Sequence, residues 1–143
     1  MRSVLSLLFC LLTVTAGEFV HWRGDYEAAR REAVEEGKRL LLLLADTPDN
    51  GRKLLAAIGK DPELIRRITN GYVAVIVIAD ARANYPIELY YTTRFPTIFL
   101  VDAKGEIPLN APCVGKESLA CLRRELIFQS DDSISEGSKV RRR

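Results

Sequence analysis

Leu40 to Leu44 is a run of five consecutive leucines closed by Ala45, and no other feature of the chain restricts its fold as much. Successive side chains of a strand point to opposite faces, so a run without a polar position is apolar on both. Such a strand belongs in a sheet covered by helices on its two sides. Tyr72 to Ala79 is a second run of this kind, rich in β-branched residues. Helical segments separate the two runs, which predicts parallel pairing, because parallel neighbours need a crossover connection. Thr97 to Val101 supplies a third apolar strand, and Asp102 to Gly105 reads as a tight turn into a short fourth strand near Ile107.

The helices follow from spacing. Trp22, Tyr26, Ala29 and Ala33 recur at steps of four, three and four, one face of a helix expected to end at Gly37. Its other face carries Glu27, Arg31 and Glu35 at i,i+4 pairing distance. Lys53 to Ile58 and Pro62 to Ile68 read as two short helices. Asp49 or Asn50 is the expected N-cap of the first; Asp61 caps the second, with Pro62 at its first position, Glu63 in its first turn, and Asn70 and Gly71 at its end. Pro86 to Thr92 has room for one or two helical turns. Leu119, Leu122 and Leu126 mark a last helix from Lys116 to Phe128. Alternating elements followed by a hairpin predict an α/β, three-layer α/β/α fold around a mixed sheet of about four strands.

The chain has 143 residues, 48% hydrophobic and 28% charged, which suits one domain. Residues 1–17 have the order of a secretory signal peptide: Arg2, an apolar run from Val4 to Val14 holding Cys10, then small residues around Ala16 and Gly17. That run is about half the roughly 20 residues of a membrane span, so the expected protein is exported, to a periplasm, a secretory lumen or the extracellular space, with no integral membrane segment after signal removal. Residues 18–128 form the expected domain. Residues 129–143 read as a disordered tail ending in Lys139, Arg141, Arg142 and Arg143, offset by Asp131, Asp132 and Glu136. Lys and Arg total 21 against 19 Asp and Glu, too even a balance for a nucleic-acid surface.

Three features resemble the thioredoxin superfamily, in particular its exported, short thioredoxin-like domains. The first is Trp22, Tyr26, Ala29, Ala33 and Gly37-Lys38-Arg39 ahead of Leu40 to Leu44. The second is Phe95-Pro96-Thr97 leading into Ile98-Phe99-Leu100-Val101-Asp102 and Lys104-Gly105, which looks like the family's cis-proline strand and hairpin. The third is the separation of Thr47 to Lys53 from Pro96, where the family keeps its active-site turn. The resemblance spans Glu18 to Phe128 and implies a thioredoxin-like fold.

The chemistry departs from the family. Thioredoxin-like oxidoreductases set Cys-x-x-Cys at a helix start, where the first thiol is acidified and the second resolves the mixed disulfide. Asn50 and Lys53 occupy those two positions here, and the family's buried carboxylate falls on Leu44; no cysteine occurs from Leu11 to Pro112. The implied protein has lost redox catalysis and acts as a protein-binding or structural module. In the family, the backbone beside the cis proline pairs with extended substrate segments by β-strand addition. The expected binding residues are therefore Phe95, Pro96, Thr97, Asp49 and Asn50, and the expected partner is a protein or peptide.

Cys113, in the loop before the last helix, and Cys121, toward that helix's polar face, leave three options open: a structural disulfide, two free thiols, or an intermolecular or redox-active role. Redox activity would make the protein a thiol-disulfide oxidoreductase or redox sensor. A third class is a diverged stress or envelope-assembly factor whose partner is set by the tail. His21 is the only histidine and has no neighbouring spacing suited to a metal, and no phosphate-loop or hydrolase motif implies a cofactor.

Overall fold

The computed structural model describes residues 18–80 and 82–139, with side chains as far as Gln129. The leader-like residues 1–17 with Cys10, and the closing residues 140–143, lie outside the described residues. In chain order the elements are β1 (Trp22–Arg23), α1 (Tyr26–Glu36), β2 (Arg39–Ala45), α2 (Pro48–Ile58), α3 (Pro62–Gly71), β3 (Tyr72–Ile78), β4 (Thr97–Asp102), β5 (Ile107–Pro108), β6 (Cys113–Val114), a 3-10 turn (Gly115–Glu117) and α4 (Ser118–Lys139).

The sheet runs β1-β3-β2-β4-β5, with β6 also paired to β4. β2 is parallel to β3 and antiparallel to β4, which makes the sheet mixed. Two crossovers serve the same strands: β1 reaches β2 through α1, and β2 reaches β3 through α2 and α3. The leucine run is divided residue by residue between two cores. Leu41 and Leu43 pack with Leu54, Ile58, Leu64, Ile68, Leu122 and Leu126 of α2, α3 and α4. Leu40, Leu42 and Leu44 pack on the other face with Tyr26, Ala29 and Ala33 of α1 and with Tyr90. All five are fully buried, each worth about 2 kcal/mol of apolar transfer. The result is the thioredoxin-like three-layer α/β/α arrangement.

Caps explain where the helices start. Asp25 accepts the Ala28 N–H (2.7 Å), and Asp61 accepts the Leu64 N–H (3.1 Å). α1 ends on Gly37 in the left-handed region, φ 66°, which glycine adopts at no steric cost.

Five expectations are corrected. Trp22 is not on the α1 face: the Asp25 cap starts the helix at Tyr26, and Trp22 lies in β1, packed against the opposite core. The first short helix begins at Pro48 rather than Lys53, because Thr47 caps it in place of Asp49 or Asn50. Residues 86–92 form no helix; a turn with Leu89 N–H to Pro86 C=O (3.0 Å) replaces it, and Tyr90 is drawn into the core against Tyr26 and Phe99. Cys113 sits in a strand beside Ile98, not in a loop, and with β1 this brings the sheet to six strands where about four were expected. Finally, α4 runs from Ser118 to Lys139, past the expected end at Phe128.

Candidate functional site

Thr47 ends β2's approach to α2 with an extended backbone, and its hydroxyl accepts the Asn50 N–H (3.2 Å). Asp46 fixes the same turn by accepting the Thr47 N–H (2.9 Å) and the Asn50 side-chain N–H (2.7 Å). Asn50 is thereby held in one orientation at the head of α2, with Lys53 exposed nearly one turn later. The helix is set close against the sheet at this point. A Cβ on Gly51 would lie 2.8 Å from Ile76 Cδ1 and 3.4 Å from Ala45 Cβ, so only glycine fits without displacement.

The opposing wall begins at the Phe95–Pro96 peptide, which is cis. The Pro96 carbonyl accepts the Gly115 N–H (2.8 Å), tying the start of β4 to the turn after β6. Gly115 has φ 63°, the left-handed backbone that lets this turn reverse into α4. Cys113 and Cys121 are joined in a disulfide with Cα atoms 5.5 Å apart. The bonded pair closes a ring of chain that includes Gly115, Lys116, Ser118 and Leu119.

These walls enclose an open groove of about 400 Å³. Asn50, Lys53, Leu54 and Ala57 of α2 form one side, Phe95 and Pro96 the end of β4, and Gly115, Lys116, Ser118 and Leu119 the other side. The structure thus brings together Asn50, Lys53, Phe95 and Pro96 from distant parts of the sequence. Two expected residues are not in the lining. Asp49 is exposed and paired with Arg52. Thr97 is fully buried, its hydroxyl donating to the Arg94 carbonyl and lying 3.1 Å from the Thr92 hydroxyl. The residues that sequence reasoning missed are Gly115 to Leu119; the signal was the glycine inside a segment bounded by the two cysteines. Cys113 is 2% exposed, and Cys121 is partly buried against the core rather than presented at the surface. Leu44 packs against the α1-side core.

A larger hollow of about 490 Å³ lies at the other end of the sheet, beside Arg39, Arg66, Arg67, Tyr72 and Gln129. Its cations are engaged within the chain: Arg66 and Arg67 on Glu63, and Arg39 on the Gln129 side chain (2.6 Å). In open α/β sheets, ligands bind outside the carboxyl ends of the strands. The groove lies at the carboxyl end of β2, whereas this hollow lies at the amino ends of β2 and β3, so the groove is the better site.

On the α1 side, the Tyr26 and Tyr90 hydroxyls are 2.8 Å apart, and Tyr26 also donates to Glu106 (3.2 Å). Arg30 Nε stands 3.1 Å from Glu106 as an ion pair without hydrogen-bond alignment. Burial first, then the Tyr90 contact, pushes the Tyr26 hydroxyl well above the ordinary tyrosine range; burial raises Tyr90 as well.

Among the described residues no group of three His, Cys, Asp or Glu is placed to hold a metal ion, and no helix is long and apolar enough to cross a membrane. No protein-family model matches the chain, and a search of the curated proteins finds no match.

Proposed function

We propose that this is an exported member of the thioredoxin superfamily without redox catalysis, a protein-binding module that takes an extended polypeptide segment in the groove beside Pro96. The observation that carries the reading is the convergence of Asn50 and Lys53 with Phe95 and Pro96 across one open groove at the carboxyl end of β2. Neither Asn50 nor Lys53 can form or exchange a disulfide, so a segment held there is bound without being reduced or oxidised. Leu54, Phe95, Pro96 and Leu119 in the lining supply apolar contact, and strand addition beside the cis proline is the mode of binding that the resemblance implies. Export is supported by the Cys113–Cys121 disulfide, a bond that persists in oxidising compartments, and by the leader-like order of residues 1–17.

A labelled unfolded protein titrated with the full chain tests the reading. Leu119→Arg places a long charged side chain in the groove and is expected to weaken binding by about tenfold or more, with the circular dichroism spectrum unchanged. Equal affinity of the variant and the parent would remove the groove from the function.

A further inference from the structure

We infer that the segment this groove accepts is acidic, an inference that rests on reading the groove as a polypeptide site. Its lining holds two cations, Lys53 on the α2 wall and Lys116 on the facing wall, and no carboxylate. Both lysines are exposed, and no ion pair engages either among the described residues. A third cation overhangs the same wall: Arg94 Nη2 lies 3.5 Å from where a Cβ on Gly115 would be. The neighbouring carboxylates stand outside the groove lining. Asp46 receives the Thr47 and Asn50 N–H groups, and Asp49 pairs with Arg52. Glu117, exposed at the end of the 3-10 turn, is the acidic residue left on that wall.

Cations facing one another across an apolar floor suit a strand whose alternate side chains differ. Period-two alternation sends one set of side chains down onto Leu54, Pro96 and Leu119 and the other set up toward the rim. Carboxylates in the upper set meet Lys53, Lys116 and Arg94; lysines there meet like charge. Among exposed groups this discrimination is modest and salt-sensitive.

Three short peptides sharing one apolar alternation, with Glu, Gln or Lys at the intervening positions, provide the probe, titrated against the full chain by fluorescence anisotropy. At low salt the Glu peptide is expected to bind about fivefold tighter than the Gln peptide, and the Lys peptide weakest. The differences should collapse near 1 M salt, where the Debye length is about 3 Å. Lys53→Glu with Lys116→Glu, both at exposed positions, is expected to invert the order of the Glu and Lys peptides. Equal binding of all three peptides, or an order unchanged by the double substitution, would overturn the acidic preference and leave the groove intact. Failure of every peptide to bind would overturn the groove reading itself, and this inference with it.

Discussion

Tyr26 and Tyr90 show how single residues set the chemistry of the interior. Each is almost fully buried, and each hydroxyl has the other as its partner. Tyr90→Phe keeps the ring packing against Phe99 but removes that bond, leaving Tyr26 with Glu106 alone; a loss of about 1 kcal/mol in urea unfolding is expected. The sign of the alkaline pH dependence follows from the raised hydroxyls. The unfolded chain releases these protons near pH 10 while the folded chain retains them, so stability is intact below that value and declines as pH rises beyond it. The carboxylates act in the opposite range. Glu63 is held low by Arg66 and Arg67, Asp61 by the Leu64 N–H and then Arg123, and Glu32 by Arg23. Their contribution is present above the ordinary carboxylate pKa and is lost as pH falls through the lower folded values. Melting temperature measured across pH should show a plateau bounded by both declines; a curve still rising above pH 10 would contradict the tyrosine assignment. In the core, Leu42→Ala is expected to cost about 2–5 kcal/mol, since the methyl groups lost lie between α1 and the sheet.

At the scale of elements, two devices hold the groove walls. Gly51 allows α2 to approach Ile76 and Ala45 closely, so Gly51→Val must move the helix or Ile76; lower stability and weaker peptide binding are expected together, read by thermal unfolding and titration. The Cys113–Cys121 disulfide closes the facing wall. Cys121→Ser is expected to lower stability by about 2.5 kcal/mol from loop entropy, and insulin reduction should be nil for parent and variant alike. Dithiol-dependent turnover abolished by the substitution would establish instead an oxidoreductase working through that pair. Elements with long or well-marked patterns are legible in the sequence: Leu40–Ala45, Tyr72–Ile78, and α3 with its Asp61-Pro62 start. The two-residue strands β1 and β6 are not, because they are too short to show any period; β5, equally short, is marked by the turn from Asp102 to Gly105 before it. Trp22 falls into the helical spacing of α1 by coincidence, one step before a cap that starts the helix at Tyr26. Thr47 is masked as a cap because Asp49 and Asn50 follow it within the same turn.

For the molecule as a whole, the two-sided leucine strand accounts for the layers, and the layers account for where a ligand can sit. The α2 wall and the Pro96 end of the candidate site are legible in the sequence: Asn50, Lys53, Phe95 and Pro96 stand out by their order and separation. The facing wall is not, because Gly115 to Leu119 reach the groove only through the β6 pairing and the disulfide, neither of which leaves a periodic trace. The central claim is that an extended segment lies between α2 and the Gly115–Leu119 wall, along the Pro96 end of β4. Amide chemical shifts of the full chain, followed while an acidic alternating peptide is added, address it most directly. Movement concentrated at Asn50, Lys53, Phe95, Lys116 and Leu119, with the Arg39–Arg66 end of the sheet silent, is the expected result. Shifts confined to that other end, or none at the groove with peptide in excess, would contradict it.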